Sequence, residues 1–234
     1  MNISTLAVCM PVYNERDTIG EIVEKVLAVD VPLEIRLYIT DDCSTDGTDE
    51  VLRKLAEAHP GRIFVERQER NLGKGAAVNN CLGRADGDVL LIQDADLEYD
   101  PDEYPKLLEP IMKGEADVVF GSRFTDGRPE GAAKVLYLGN RALTLAFNVI
   151  HGVWLTDMET CYKVFRKEVV RSIKIWSKRF GIEPEISAKI KRQGYRIVEV
   201  PISYHPRSYE EGKKIGLRDG IKALAAIVWF RFFD

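Results

Sequence analysis

The chain of 234 residues is 45% hydrophobic and 30% charged, with 18 Gly and 10 Pro, the proportions of a folded globular domain, which excludes a disordered one. A net charge of −4 excludes a dedicated nucleic-acid binder, whose phosphate contacts need a basic surface. Cys9, Cys43, Cys81 and Cys161 show no CxxC spacing, so neither a zinc site nor a disulfide framework is signalled, and a reducing compartment fits.

In chain order, the apolar run Leu6 to Val12 predicts a strand, and Asp17 is placed to cap a helix reaching about Val29. Ile35 to Thr40 predicts a second buried strand, followed by the turn-rich run Asp41-Asp42-Cys43-Ser44-Thr45-Asp46-Gly47-Thr48 and a helix from Asp49 to Ala58. Ile63 to Arg67 is a third strand, and Asn71-Leu72-Gly73-Lys74-Gly75 opens an Ala-rich helix to about Ala85. Val89 to Gln93 is a fourth, continuously apolar as buried parallel strands are. This alternation predicts an α/β fold with a mostly parallel central sheet flanked by helices. Ligands of such sheets sit at the carboxyl ends of the strands, where these polar loops fall.

The second half is less regular. Val118 to Gly121, Tyr162 to Phe165 and Arg196 to Tyr204 read as strands, Tyr137 to Ile150 and Glu183 to Arg192 as helices. The last stretch, Leu217 to Phe233, sets Leu, Ile, Trp and Phe among Arg218, Lys222 and Arg231. Met1 to Met10 does not read as a signal peptide, and the apolar run Ala223 to Phe230 is far short of the roughly 20 residues that span a bilayer. Trp154 and Trp176 are expected to be packing residues, and His205 a loop residue.

Charge is uneven along the chain. Residues 1–110 hold 11 Lys and Arg against 23 Asp and Glu, a net of −12, whereas residues 163–218 hold 15 against 6, a net of +9. Either two differently solvated surfaces or a carboxylate-rich site facing a phosphate-holding basic region accounts for this. Asp94, Asp96 and Glu98 leave the fourth strand at alternate positions, so in extended backbone they share one side and can hold one hard cation, Mg²⁺ or Mn²⁺, together with a diphosphate.

Pro11-Val12-Tyr13-Asn14-Glu15, the Asp41 to Thr48 loop, Asn71 to Ala77 and Gln93-Asp94-Ala95-Asp96 stand in one order and spacing. Together they resemble the nucleotide-sugar-binding half of family 2 glycosyltransferases with the GT-A fold. Gly121-Ser122-Arg123-Phe124, Gly139-Asn140-Arg141, Thr156 to Lys163 and Glu199 to Tyr204 extend the resemblance, over roughly residues 5 to 220, to the polyprenyl-phosphate sugar transferases, the dolichol-phosphate mannose synthase group.

The resemblance implies roles. Pro11, Tyr13 and Glu15 line the base and ribose pocket, and Asp41 accepts a hydrogen bond from the base, with Asp42 beside it. Lys74, Gln93, Ala95 and Lys213 join the nucleotide-sugar site, Lys213 with Lys214 on a loop able to close over the diphosphate. Asp94 meets the sugar or ribose, while Asp96 and Glu98 ligate the metal, which neutralises the leaving nucleoside diphosphate. Arg123, Arg141 and Arg207 hold an acceptor phosphate. Asp157 is either a general base or a structural hydrogen-bonding residue, since an ionised phosphate is already nucleophilic.

The expected protein is therefore a metal-dependent, inverting hexosyltransferase that takes mannose or glucose from GDP-mannose or UDP-glucose to a polyprenyl (dolichyl or undecaprenyl) phosphate. Its expected place is peripheral, at the cytoplasmic face of the membrane. Two rivals stand beside it: the same fold acting on a glycan or other soluble acceptor, and an inactive nucleotide-sugar-binding scaffold. Residues 1–216 form the expected catalytic domain and 217–234 an amphipathic helix, either membrane-interfacial or packed on the domain.

Overall fold

The computed structural model describes residues 3–179, 181–207 and 217–233. The first half alternates strand and helix: β1 (Thr5–Val12), α1 (Ile19–Ala28), β2 (Glu34–Asp41), α2 (Thr48–Ala58), β3 (Ile63–Arg67), α3 (Lys74–Arg84) and β4 (Val89–Ile92). A 3-10 turn at Pro101–Glu103 leads into α4 (Tyr104–Met112), then β5 (Val118–Ser122), α5 (Lys134–His151), β6 (Lys163–Arg166), α6 (Lys167–Ser172), α7 (Ile182–Arg192), β7 (Ile197–Pro201) and α8 (Leu217–Phe232).

The strands form one sheet in the order β3-β2-β1-β4-β6-β5-β7. All pairings are parallel except those of β6, which runs antiparallel to both β4 and β5. β1 is central and buried from Leu6 to Val12, because helices cover both faces and no polar alternation is needed. α1 turns Ile19, Ile22, Val23 and Val26 inward, the i, i+3, i+4, i+7 stripe of a helix laid on a sheet.

Local differences from the sequence expectations have physical causes. Asp17 does not cap α1; Thr18 stands at the N-cap without a side-chain cap bond, its hydroxyl donating instead to Glu15 Oε2 at 2.8 Å. β7 stops at Pro201 because the following residues turn to other partners: Ser203 N and Oγ donate to Glu103 Oε1, and His205 N donates to the Glu98 carbonyl. α4 and α6 were not foreseen. Trp154 and Trp176 are not packing residues but stand 84% and 61% exposed.

Among the described residues, the lysines and arginines of 163–207 do not gather on one basic face. Lys163 and Lys189 are buried against Glu183 and Glu185, and Arg196 pairs with Asp117. α8 is two-sided: Ala223, Ile227 and Phe230 are buried, whereas Ile221, Leu224, Val228, Trp229 and Phe232 are exposed. Among the described residues, no helix is long and apolar enough to cross a membrane.

Candidate active site

The carboxyl ends of β1, β2 and β4 lie side by side, and their loops are laced by side chains accepting backbone N–H groups. Asn14 N donates to Ser44 Oγ, Glu15 N to Thr48 Oγ1 and Thr45 N to Asn14 Oδ1, at 2.8–3.0 Å. Asp42 accepts from Leu72 N at 2.7 Å and Gly73 N at 2.8 Å, so it holds the third loop rather than facing a ligand, as the sequence reading had placed it. Gly73 has φ +99°, and a Cβ there would lie 2.5 Å from the Lys178 carbonyl oxygen. Only glycine allows the loop to lie against residues 177–179 in this way.

Asp41 differs from its neighbour. One oxygen accepts from Ser44 N, while Oδ2 is buried without a hydrogen-bond partner, the Arg67 Nε being 3.5 Å away. Tyr13 projects beyond β1, 43% exposed, with its ring available for stacking. Pro11 is buried within β1 and shapes the floor rather than touching a ligand.

The end of β4 is organised around Asp94 and Asp96. Gln93, fully buried, accepts from the hydroxyls of Tyr104 and Tyr162 at 2.8 and 2.6 Å and donates to the Asp94 carbonyl at 3.0 Å. It braces the turn from beneath and, contrary to expectation, does not face the ligand side; Ala95 is likewise buried. Lys74 Nζ, at the first turn of α3, donates to Asp94 Oδ2 at 2.8 Å and to Cys161 Sγ at 3.5 Å, and lies 4.0 Å from Glu183 Oε1. Burial works against the Lys74 ammonium, but Asp94, Cys161 and Glu183 outweigh it and raise its pKa well above the usual range.

Arg207 closes the site from the other side. Its guanidinium donates to Glu15 Oε2 and Oε1 at 3.1 and 3.0 Å and to Asp96 Oδ2 at 3.1 Å. Burial, then the charges of Asp94 and Glu98, push the Asp96 carboxyl up to about 7 against the opposing pull of Arg207. The expected triad of metal carboxylates is not assembled. The backbone is not extended here, since Leu97 has φ +60°, and Glu98 is turned away to accept from Tyr204 OH and Arg207 N at 2.8 Å each. Among the described residues, no three His, Cys, Asp or Glu side chains group closely enough to hold a metal ion by themselves. Asp94 and Asp96 fit a hard divalent cation in the manner of Mg²⁺ sites, where one or two carboxylates are completed by substrate phosphates and water.

Three further expected residues fall on the opposite wall. Arg123 Nε and Nη2 donate to Asp157 Oδ2 and Oδ1 at 2.6 and 2.8 Å, and Arg123 N to Oδ2 at 3.1 Å. Both side chains are nearly inaccessible, at 9% and 0%. Arg123 is thus committed to Asp157 rather than turned to an acceptor phosphate, and Asp157 has both oxygens engaged, which favours the structural of its two expected roles. Arg141 is exposed on α5 with Nη1 donating to the Thr156 carbonyl at 2.9 Å, leaving most of its fork to solvent. Lys213 and Lys214 lie outside the described residues.

Two residues without a site role in the sequence reading complete the interior. Lys163 is fully buried and donates to Glu183 Oε2 and to the Met158 and Thr160 carbonyls. Glu183 therefore stands between two ammonium groups, Lys163 and Lys74, and an alternating chain of charge runs from the core to Asp94. Lys163 ends the Thr156 to Lys163 motif, but nothing there or around Glu183 signals their pairing, because its meaning arises only from packing.

The family described as glycosyl transferase family 2 matches residues 7–174. Glycosyltransferase AglJ of Haloferax volcanii is 32% identical over 204 residues, 86% of this chain and 64% of its own length, so this chain spans just under two thirds of that relative. Polyprenol monophosphomannose synthase of Mycolicibacterium smegmatis is 30% identical over 217 residues, 89% of this chain and 80% of its own. Among solved structures, glucosyl-3-phosphoglycerate synthase from Mycobacterium tuberculosis, in complex with Mn²⁺, UDP and glucosyl-3-phosphoglycerate, superposes with a TM-score of 0.73 at 22% identity, covering 97% of this chain and 80% of that one.

Proposed function

The chain belongs to glycosyl transferase family 2 and has the GT-A fold, and on that premise we propose that it transfers a hexose from a nucleoside diphosphate sugar to a polyprenyl phosphate. The observation that carries this reading is the Asp94–Asp96 pair at the end of β4, flanked by Lys74 and Arg207 at 2.8 and 3.1 Å. Two carboxylates set among cations suit a diphosphate with its counterion, which neither a structural turn nor a bare scaffold requires.

Each wall has a task in this reading. Asp41 Oδ2, which has no hydrogen-bond partner beyond the Arg67 charge 3.5 Å away, accepts an N–H from the nucleobase, and Tyr13 stacks on it. Asp96 and Asp94 would hold a divalent cation, Mg²⁺ or Mn²⁺, which would supply neutralisation of the charge on the leaving group. Lys74 fixes Asp94 against the sugar or ribose. Arg141 and Arg207 supply guanidinium forks that match a phosphate monoester and align its oxygen with the anomeric carbon. A phosphate is already nucleophilic, so Asp157 is not needed as a base; its contacts with the Arg123 side chain and backbone N–H tie the end of β5 to the turn after α5. The displacement is in line, with inversion.

The acceptor rests on the name of the Mycolicibacterium relative and on the exposed apolar surface of α5 and α8. Val135, Leu138, Leu145 and Val149 on α5 are 53–81% exposed, and Trp154 lies just beyond. This face, with that of α8, suits a protein that lies on a membrane and collects an amphiphile from it. The donor stays open between GDP-mannose and UDP-glucose. The test is transfer of radiolabelled sugar into an organic-extractable lipid by purified protein with a short polyprenyl phosphate and Mg²⁺ or Mn²⁺. Label from one donor, abolished by chelator, is the expected result; label recovered only in a water-soluble product would replace the lipid acceptor with a soluble one.

A further inference from the structure

A cavity of about 200 Å³ lies between α3, α6 and the segment that follows α6. Its floor is apolar, made by Leu82, Leu90, Val170, Ile173 and Ile175. Local structure explains why the space is open. α6 has only six residues and ends where Ile173 passes to extended backbone, at φ −107° and ψ 140°, so no further turn of helix fills it. On the α3 side the wall includes Gly83, where a Cβ would meet no atom within 4 Å. Glycine is a poor residue for a helix interior, and nothing packed against this one calls for it.

The rim is polar and of one sign. Lys167, Arg171 and Asn79 stand there, and no carboxylate is among the lining residues. Lys167 is held by Asp86 at 2.8 Å. The side chains of Arg171 and Asn79 are exposed and have no hydrogen bond or ion pair among the described residues; Asp86 acts on Arg171 only through its charge.

An apolar floor beneath an uncommitted guanidinium suits an amphiphile with an anionic end, whose body leaves water while its head meets the fork. The head carries a single charge, because Lys167 is already engaged and one arginine does not balance the two charges of a phosphate monoester. The volume, roughly seven waters, limits the body to a short aliphatic chain or one small ring.

The cavity is separate from the active site yet built on the same elements. Lys74 opens α3 and Leu82 stands eight residues later, about 12 Å along the helix. β4 supplies Leu90 and ends two residues before Asp94. The chain from Ile173 and Ile175 continues into residues 177–179, whose carbonyls lie against Gly73 and Gly75.

We infer that this cavity is a second ligand site, which takes a small amphiphilic carboxylate with its body on the apolar floor and its head on Arg171. The ligand is neither donor nor acceptor of the reaction proposed above, and the inference does not rest on that reaction.

Methyl NMR of the full chain labelled at Ile, Leu and Val, titrated with sodium hexanoate and separately with hexanol at constant ionic strength, tests this. Saturable shifts are expected at the methyls of Leu82, Val170, Ile173 and Ile175, with a dissociation constant on the order of 1 mM, within reach of so small a ligand. Hexanol is expected to bind about three- to fivefold more weakly, the scale of an exposed charge contact. Arg171→Gln should weaken hexanoate by the same factor and leave hexanol unchanged. Gly83→Leu, which fills the cavity with a better helix former, should abolish the shifts from both; if that variant does not fold, Arg171→Gln, at an exposed position, decides alone. Shifts that do not saturate, or that gather at Leu138, Val149 and Val228 on the exposed faces of α5 and α8, would overturn the site. Hexanol binding as tightly as hexanoate would remove the anionic head, and displacement of hexanoate by UDP or GDP with Mg²⁺ would place the ligand in the active site; either overturns the inference.

Discussion

Arg123 and Asp157, 34 positions apart in the chain, close on each other through two side-chain hydrogen bonds of 2.6 and 2.8 Å in a pocket that leaves Asp157 without solvent contact. Each supplies the other's countercharge, and Arg123 also lies over the rings of Phe124 and Tyr204. Removing one partner of such a pair costs about 3–5 kcal/mol, because the remaining charge is left uncompensated. Asp157→Ala is therefore expected to lower the urea midpoint severely, and Arg123→Met with Asp157→Leu to recover a large part of the loss. An Asp157→Ala protein of wild-type stability that has lost turnover would assign Asp157 to chemistry instead.

Arg207 occupies the cationic position beside Asp96 and Glu15. A divalent cation arriving at Asp96 has to compete with that guanidinium. Arg207→Gln is expected to bind Mn²⁺ about two- to fivefold more tightly in the absence of nucleotide, the equivalent of a partly exposed ion pair, as read by the electron paramagnetic resonance of free Mn²⁺. In the transfer assay the same variant should fall by at least tenfold, since the acceptor phosphate loses a charge-assisted fork. Unchanged Mn²⁺ affinity would show that Arg207 and the metal do not share Asp96.

The elements that sequence made legible are those whose signal is local. β1, β2 and β4 are short, largely apolar and buried runs, and buried parallel strands have that pattern; β3 is a shorter run ending in Glu66 and Arg67. α4 escaped because Pro105 and Pro110 interrupt its nine residues, and prolines read as breakers even where one fits the first turn and the other tolerates its missing donor. The site divides in the same way. Asp94 and Asp96 stand out from a motif, but the reassignment of Asp42, Gln93, Glu98 and Arg123 to bracing roles depends on partners up to 109 positions away. Glu159 and Lys163 fall in a motif and Glu183 at a helix start, but their burial carries no pattern, since a charged residue in a sequence reads as solvated until packing buries it.

Glu159 gives stability a pH dependence of definite sign. Its carboxyl titrates near 7 in the fold against an ordinary value of 4.5, so the native state holds its proton longer than the unfolded chain. Its contribution is complete below about pH 4.5 and is lost as pH rises through about 7, by up to about 3 kcal/mol. Glu159→Gln, which cannot ionise, should lose less stability than wild type between pH 5 and 8, and be the more stable of the two at pH 8. Denaturant midpoints at both values decide the matter; parallel curves for the two proteins would mean that Glu159 is ionised throughout.

The Lys163–Glu183 pair tests whether the interior charge chain reaches the site. Lys163 is fully buried and bonded to Glu183 and two carbonyls, so Lys163→Met should cost about 3–5 kcal/mol by stranding Glu183. A double replacement, Lys163→Met with Glu183→Gln, should recover stability but leave Lys74 with one anionic neighbour fewer. Measured at a temperature where the double variant is folded, donor affinity should fall while the melting curve remains cooperative. Full donor affinity in that variant would confine the pair to a structural role.

The two faces of α8 make separable predictions. Ile227 and Phe230 are buried in the common core, so replacing either with Ala should destabilise the whole domain by about 2–5 kcal/mol. Leu224, Val228, Trp229 and Phe232 lie on the side away from it, 40–69% exposed, and their burial in a bilayer interface would gain about 25 cal/mol per Å² of apolar surface. Lys222 and Arg231 on the same helix add attraction to anionic lipid, about 1 kcal/mol for each charge near the surface. Replacing Leu224, Trp229 and Phe232 together with Ser should leave the melting temperature within a few degrees of wild type yet abolish flotation with vesicles containing phosphatidylglycerol. Raising salt should weaken wild-type flotation partly, removing the charge contribution and not the apolar one. Equal flotation of wild type and the triple variant would remove α8 from the membrane reading and leave the exposed residues of α5 to carry it.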